Sequence, residues 1–269
     1  VQGTPLEQES GAPIVNHPDV LRTLTTMKAE IEAMRALMML GAASMDLAHG
    51  CDADDPRSTR ANLLIPIIKG WMTERSLDIT SQAVQVHGGM GFIEETGAAQ
   101  HFRDARILPI YEGTTAIQAN DLVFRKTLRD GGAAVTELFD EIDAEMQKLA
   151  SHSDDIVVNN VSHMSRAVEA ARRATAHILA AANEPRRPAV NGVNYLMLLG
   201  RLCGGWMMTR ASYKAAVQKS DPSADPSFML AKLATARVFM THHLPQVHAL
   251  ADVIMTGDEG ILAMDTKWL

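Results

Sequence analysis

The stretch Asn16–Met45, which reads NHPDVLRTLTTMKAEIEAMRALMMLGAASM, carries the pattern that decides the fold class. It opens like a helix, because Pro18 is tolerated in a first turn and Asp19 places negative charge at the positive end. Apolar or small residues then recur at alternating spacings of four and three, at Val20, Leu24, Met27, Ile31, Met34, Met38, Gly41 and Met45. This spacing predicts a long helix packed nearly antiparallel to its neighbours, with the methionine-rich stripe in the core because methionine fills irregular gaps.

Helical periodicity continues along the rest of the sequence, and no alternating strand pattern of useful length is found. Seven further helical segments are expected, at 59–87, at 94–103, from Thr114 or Thr115 to Leu128, and at 133–150, 156–183, 191–219 and 227–256. The sequence Asp130-Gly131-Gly132 is the clearest internal boundary. The prediction is therefore an all-α protein, with an antiparallel helical bundle at 1–129 and a second helical bundle at 130–269.

Composition excludes several classes of protein. The chain of 269 residues is 46% hydrophobic and 21% charged, an ordinary balance for a globular protein. No apolar run reaches the roughly 18–20 residues of a membrane span, and a formal net charge of -7 gives no support to nucleic-acid binding. The two cysteines, Cys51 and Cys203, fit a reducing compartment such as the cytoplasm. His242, His243 and His248 lack a carboxylate or cysteine at ligand spacing, so no metal site is expected.

The stretch Arg103–Asn120, RDARILPIYEGTTAIQAN, holds the strongest candidate for chemistry. Glu112 follows an apolar run and precedes Gly113, whose missing side chain lets a substrate approach the backbone. Desolvation by apolar neighbours raises the pKa of a carboxyl group and makes it a useful base near neutral pH. A structural alternative stays open, because a Glu before two Thr also suits a helix N-terminus, where negative charge contributes about 0.3–1 kcal/mol.

Two motifs, QVHGGMGF at Gln85–Phe92 and RDARILPIYEGTTAIQ at Arg103–Gln118, occur in this order and at this separation. Together they resemble the C-terminal helical domain of the acyl-CoA dehydrogenases, and the resemblance covers Asn16–Leu128. The remainder, from Asp130 to Leu269, resembles the additional C-terminal helical domain of a bacterial branch. That branch includes broad-range fatty acyl-CoA and 3-methylmercaptopropionyl-CoA dehydrogenases, so a bacterial cytoplasmic protein is expected.

The resemblance implies FAD-dependent introduction of an α,β double bond into an acyl-CoA thioester. Glu112 matches the position of the family's base, which takes a proton from Cα while a hydride leaves Cβ for the flavin. Because a Cα–H beside a thioester is a weak acid, the reaction needs a well-aimed base and hydrogen bonds to the carbonyl oxygen. The resemblance assigns one of these bonds to the backbone N–H of Glu112, places Tyr111 in the acyl pocket and packs Gly113 against substrate.

The resemblance also implies cofactor contacts and an assembly. Five residues match the family loop that contacts FAD from the neighbouring subunit, namely Gln85, Val86, His87, Gly88 and Gly89. This match implies a homodimer or a higher oligomer, with electron-transfer flavoprotein as the electron acceptor. Thr114 and Gln118 match positions that touch the flavin nucleotide. Gly91 is expected to be an ordinary helix C-cap.

The family's N-terminal helical domain and middle β-domain hold most of its FAD and acyl-CoA pocket, and neither is recognisable in this sequence. Val1-Gln2-Gly3 resembles the segment directly after a family arginine that meets the FAD phosphates. We therefore expect a C-terminal part of a larger enzyme, inactive by itself, with the other domains in the same protein or in a separate chain. Two alternatives stay open: a non-catalytic assembly module or partner subunit, and part of an acyl-CoA oxidase.

Overall fold

The computed structural model describes residues 11–269, and every regular element within that range is helical, so the prediction of an all-α protein is confirmed. The α-helices of this range are α1 Pro18–Ala48, α2 Pro56–Val86, α3 Gly89–Phe92, α4 Ala98–Ile107, α5 Thr115–Asn120, α6 Ala133–Leu149, α7 Asp155–Ala180, α8 Arg186–Gln218, α9 Pro226–Val238, α10 Gln246–Thr256 and α11 Asp258–Leu262. Val1-Gln2-Gly3 lies outside the described residues. Within residues 11–269, none of the helices combines the length and apolar character needed to cross a membrane.

The buried face of α1 differs from the one that the spacing predicts. Small residues such as Thr26, Ala33 and Gly41 are buried, whereas Met38 and Met45 of the methionine stripe are exposed. Small residues occupy the contact because α2 comes very close, so that a Cβ on Gly41 would lie 2.3 Å from Cδ1 of Ile68. Ile31, in the middle of the predicted stripe, is exposed as well, and Gly41 is the one residue of the stripe that is buried. The prediction that the stripe lies in the core is therefore wrong for much of its length.

Helix α8 lies at the centre of the fold, packed against α1, α2 and α5 as well as α7, α9 and α10. Trp71 of α2 is fully buried, and a Cβ on Gly200 of α8 would lie 2.2 Å from its Cγ. One turn earlier in α8, Leu196 packs in the same way against Gly70 of α2, where a Cβ would lie 2.6 Å from Leu196 Cδ1. The helices before and after residue 130 therefore share one continuous hydrophobic core.

A buried charged cluster joins the same helices. Glu30 of α1 accepts a hydrogen bond from Nε of Arg75 of α2 at 2.7 Å and lies 3.4 Å from Nη1 of Arg201 of α8. Burial lowers the pKa of Arg201 to about 10, and the nearby charge of Arg75 acts in the same direction. Removing one partner from such a cluster is strongly destabilising, because the other charge stays buried without compensation.

The region predicted as a single helix at 227–256 is divided in the structure. Helix α9 runs into a π-helical turn at Phe239–His243, and α10 begins only at Gln246. Pro245 accounts for the break, because proline lacks a backbone N–H and its ring clashes with the preceding turn. The prediction of one uninterrupted helix is therefore wrong.

The turn at Asp130-Gly131-Gly132 connects a π-helical segment, Asp121–Leu128, to α6. Gly131 and Gly132 have φ values of 66° and 84°, which glycine adopts without a Cβ clash. The Asp130 carboxylate accepts hydrogen bonds from the backbone N–H groups of Gly132 and Ala134, both at 2.9 Å. The predicted turn is confirmed, while the division into domains at this turn stays a prediction.

Candidate active site

The segment Leu108–Gly113, called the site loop from here on, follows α4 and takes an unusual backbone conformation. Glu112 has a φ of 52° and is the one non-glycine residue within residues 11–269 that has a positive φ. Gly113 follows with a φ of 92°. A non-glycine residue in the left-handed region costs on the order of 1–3 kcal/mol, and such residues cluster at functional sites. The backbone thus singles out the same glutamate as the sequence motif.

Three carbonyl oxygens of the site loop converge on one ammonium group. Lys69 of α2 donates hydrogen bonds from Nζ to the carbonyl oxygens of Leu108 at 2.8 Å, Tyr111 at 3.0 Å and Gly113 at 2.8 Å. These bonds use all three N–H donors of a lysine. The same Nζ lies 5.7 Å from the centre of the Tyr111 ring, within cation–π range. The site loop is therefore wrapped around Lys69.

Lys69 was not among the site residues expected from the sequence. Its one signal is that it is the single charge within LLIPIIKGW, Leu63–Trp71. A charged group among apolar residues requires polar partners. Its partners are carbonyl groups 39 to 44 positions further along the chain, and only the fold brings them to Lys69.

Glu112 is exposed, and no group within residues 11–269 forms a hydrogen bond or ion pair with its side chain. Its apolar neighbours Ile110 and Tyr111 are each 46% exposed. The expectation of a carboxylate desolvated by these neighbours is therefore wrong for this chain by itself, because they leave the carboxylate in water. An unpartnered carboxylate on a constrained backbone is available to a ligand.

The helix that follows the site loop is capped as the sequence predicts. Thr114 is the N-cap of α5, and its hydroxyl accepts a hydrogen bond from the backbone N–H of Ile117 at 3.3 Å. The hydroxyl of Thr115 donates to Oε1 of Glu74 of α2. Gln118 packs over the bare backbone of Gly113, where a Cβ would lie 2.7 Å from its Nε2. Thr114, Gln118 and the site loop are thus brought together.

The second group of predicted site residues, Gln85–Gly89, lies at the end of α2. Gln85 comes sixteen residues after Lys69, about 24 Å further along the helix at a rise of 1.5 Å per residue. His87 contacts the carbonyl oxygen of Ala83 through Nδ1 at 2.8 Å, and Gly88 has a φ of 63°. Within one chain, these residues and Glu112 therefore lie in separate places.

Gln85 lines an open surface cavity of about 660 Å³ together with Phe92, Phe102 and Arg103. Phe92 is 80% exposed, which is unusual for so large an apolar side chain. Gly91 is not the helix C-cap that was expected. It lies inside α3, where a Cβ would come within 2.3 Å of the Val84 carbonyl oxygen, so close packing and not a left-handed turn requires glycine there.

Gln118 borders another surface cavity, of about 340 Å³, together with Asn62, Arg125, Lys126 and Asp121, whose carboxylate is paired with Arg125 at 3.1 Å. Amide and cationic side chains donate hydrogen bonds to phosphate oxygens, and charged donors form the stronger bonds. The cavity therefore offers such donors together with one carboxylate, which would repel a phosphate group.

Two family descriptions match the chain, and together they cover most of it. The description "Acyl-CoA dehydrogenase, C-terminal domain" matches residues 6–126, and "Acetyl-CoA dehydrogenase C-terminal like" matches residues 138–265. The two matched ranges are consecutive helical regions, and the exposed glutamate on its constrained loop lies in the first of them. The chain belongs to the acyl-CoA dehydrogenase family.

Curated relatives match nearly the whole chain. The 3-methylmercaptopropionyl-CoA dehydrogenase of Ruegeria pomeroyi is 40% identical, over 98% of this chain and 45% of its own length. The broad-specificity linear acyl-CoA dehydrogenase FadE5 of Mycobacterium tuberculosis is 33% identical, over 98% of this chain and 46% of its own length. The chain thus spans a little under half the length of these relatives.

Solved structures share the fold at low sequence identity. ACDH-11 of Caenorhabditis elegans, in complex with C11-CoA, aligns with a TM-score of 0.71 and 17% identity, over 93% of this chain and 41% of that one. An acyl-CoA dehydrogenase of Bacillus anthracis complexed with FAD aligns with a TM-score of 0.65 and 17% identity, over 93% of this chain and 44% of that one. These likenesses establish the helical arrangement.

Proposed function

We propose that this chain is the C-terminal part of an FAD-dependent acyl-CoA dehydrogenase and that Glu112 is its catalytic base. One observation carries the proposal: Glu112 is exposed, has no partner among residues 11–269 and has a φ of 52° within the family motif. A glutamate that merely favoured a helix N-terminus would not need this costly backbone conformation.

The proposed reaction removes one hydrogen from Cα and one from Cβ of an acyl-CoA thioester. A carboxylate oxygen of Glu112 takes the proton from Cα, and the electron pair of that C–H bond becomes the second bond between Cα and Cβ. The hydrogen on Cβ leaves with its own electron pair, and FAD supplies the acceptor for this hydride. The backbone N–H of Glu112 donates to the thioester carbonyl oxygen, where negative charge develops.

The remaining site residues have supporting roles in this proposal. Tyr111 and Gly113 face the acyl group. Thr114 and Gln118 contact the flavin nucleotide, and Gln118 also borders the cavity whose lining includes Asp121, Arg125 and Lys126. The N-terminal and middle domains of the family, in the same protein or in a separate chain, complete the pocket and exclude the water that surrounds Glu112 here.

The separation of Gln85–Gly89 from Glu112 supports a proposed homodimer. Gln85 lies about 24 Å along α2 from Lys69, the residue that contacts the loop of Glu112. The segment that begins at Gln85 is therefore better placed to contact a second active site than the active site of its own chain. We assign Gln85, Val86, His87, Gly88 and Gly89 to the FAD of a neighbouring subunit. The exposed Phe92 beside Gln85 offers apolar surface for such a contact. Electron-transfer flavoprotein is the proposed electron acceptor.

The alternatives differ in what they need from Glu112. An assembly module without chemistry has no use for a strained, unpartnered glutamate, so the conformation of this residue favours the enzyme. An acyl-CoA oxidase needs the same base and passes its electrons to oxygen directly. The rate of flavin reoxidation by oxygen in the complete protein separates an oxidase from a dehydrogenase.

The test measures how fast an acyl-CoA reduces the flavin of the full-length protein in the absence of oxygen. The readout is the loss of flavin absorbance after the two are mixed. We expect Glu112→Gln to retain FAD and to lower the rate of flavin reduction by about 10²–10⁴-fold, the usual contribution of a general base. The matched control is Glu169→Gln, an exposed glutamate of α7 in the other half of the chain. Flavin reduction at the wild-type rate in Glu112→Gln would overturn the proposal.

A further inference from the structure

The hydrogen bonds of Lys69 fix the direction of a peptide group that the proposed reaction uses. In a trans peptide the C=O and N–H point in opposite directions. Because the Tyr111 carbonyl points at Lys69 Nζ, the N–H of Glu112, in the same peptide group, points away from Lys69. Within the part of the chain that the structure describes, nothing accepts a hydrogen bond from this N–H. Both functional groups of Glu112, its carboxylate and its N–H, are thus left open.

The anchor of this arrangement is rigid. Lys69 directly precedes Gly70 and Trp71 on α2, the two residues that pack closely against α8. Trp71 is fully buried, so the backbone from which the lysine extends is held by the core. The hydrogen bonds are charge-assisted, and such bonds are roughly twice as strong as neutral ones. A firmly held cation therefore gathers carbonyl groups from both sides of Glu112.

We propose that Lys69 is a positioning residue for the dehydrogenation, which holds Glu112 in its left-handed conformation so that its carboxylate and N–H face the acyl-CoA. This inference rests on the proposed role of Glu112. Lys69 does not touch the substrate, because the site loop surrounds its ammonium group. Its removal frees the Tyr111 and Gly113 carbonyls and lets the intervening peptide groups rotate.

The experiment compares Lys69→Met and Lys69→Arg in the full-length, FAD-loaded protein. Methionine keeps a long side chain without charge or donors, so we expect kcat to fall by about 10²-fold, the cost of misplacing a reacting group by roughly 1 Å. The KM for acyl-CoA and the FAD content stay at wild-type values. Arginine restores the charge and donors in a planar geometry that fits three carbonyls less well, so Lys69→Arg recovers part of kcat.

Lys232→Met is the matched control. Lys232 also lies over an aromatic ring, that of Phe228 at 5.1 Å, but it belongs to α9 and binds Glu32 of α1 at 2.9 Å. The kcat of this variant stays at the wild-type value. A wild-type kcat in Lys69→Met would overturn the proposal, and so would equal losses in the two lysine-to-methionine variants.

A variant that fails to fold can be distinguished from a failure of the proposal that Glu112 is the base. If Lys69→Met does not retain FAD, Lys69→Gln takes its place, and a lowered kcat at unchanged KM supports the positioning role. Loss of FAD from both variants would assign Lys69 to the stability of the fold and overturn the inference. Wild-type turnover in Glu112→Gln overturns the proposed function itself, whereas an inactive Glu112→Gln beside a fully active Lys69→Met overturns only the inference.

Discussion

The site loop and helix α8 contact neighbouring residues of α2 in opposite ways. The site loop is attached through three hydrogen bonds to Lys69, and it leaves Glu112 exposed and in a costly conformation. Helix α8 is attached through close apolar packing, with Leu196 against Gly70 and Gly200 against Trp71. One region is held by a few directional bonds, the other by a filled core.

The comparison shows how a strained loop persists on an open surface. A residue in the left-handed region needs surroundings that over-determine it. In the site loop, the hydrogen bonds to Lys69, the burial of Pro109 and the packing of Gln118 over Gly113 supply that constraint. The lysine can do so because α8 fixes the helix beneath it. Helix α8, in the C-terminal half of the chain, therefore supports the site through its packing against α2 and against α5, which carries Gln118.

The larger of two effects on stability is expected from an added methyl group between α2 and α8. In Gly200→Ala the new Cβ would lie 2.2 Å from Trp71 Cγ, a buried atom with no room to move. Overpacking of this kind costs about 1–3 kcal/mol, more than alanine gains in helix propensity. We expect the urea midpoint of unfolding to fall and kcat to fall with it, because α2 carries Lys69.

The matched control for Gly200→Ala is Gly260→Ala in α11, where a Cβ meets no atom within 4 Å. This variant gains helix propensity alone, so its urea midpoint stays the same or rises. Equal midpoints in the two variants would show that the contact between α2 and α8 is looser than the structure indicates.

A smaller effect is expected from the buried His243, which packs α1 against the π-helical turn before α10. Its Nε2 lies 3.0 Å from the Thr26 carbonyl oxygen and its Nδ1 lies 3.7 Å from Glu30 Oε1. Burial lowers the pKa of His243, the charges of Arg201 and Arg75 lower it further, and Glu30 opposes them. Because the folded protein binds this proton less readily than the unfolded chain, the stability linked to His243 is present above about pH 6.5 and is lost as the pH falls below it.

Two neighbouring substitutions measure this dependence through urea midpoints between pH 5 and pH 7.5. His243→Gln removes the titrating group, so we expect the midpoint to vary less with pH than in the wild type. His242→Gln, at the exposed neighbouring position, keeps the wild-type dependence. A wild-type pH dependence in His243→Gln would show that other groups cause the acid loss of stability.

Much of the fold could be predicted from local sequence, because helix periodicity, caps and breaks are local properties. Thr114, one of the two threonines expected to begin the helix, is its N-cap, and Asp130-Gly131-Gly132 forms the expected turn. The buried face of α1 could not be predicted, because it depends on how closely α2 approaches Gly41. Periodicity also favoured a continuous helix at 227–256, although Pro245 marked the break.

The motif around Glu112 identified the candidate site, but the expected environment of this residue was not found. The apolar residues before Glu112 suggested a desolvated carboxylate, yet Ile110 and Tyr111 are partly exposed. Lys69 was missed because its partners lie 39 to 44 positions away and are backbone carbonyl oxygens. Every residue has such an oxygen, so the residue types do not reveal these contacts. The positive φ of Glu112 likewise follows from tertiary contacts and not from its residue type.

The most direct test of Glu112 as the base separates proton removal from hydride transfer. The full-length FAD-loaded protein is incubated in D₂O with an acyl-CoA that carries hydrogens on Cα and none on Cβ, and deuterium at Cα is followed by mass spectrometry. If Glu112 is the base, the wild type incorporates deuterium and Glu112→Gln, with its FAD retained, does not. Deuterium incorporation by Glu112→Gln at the wild-type rate would contradict this assignment.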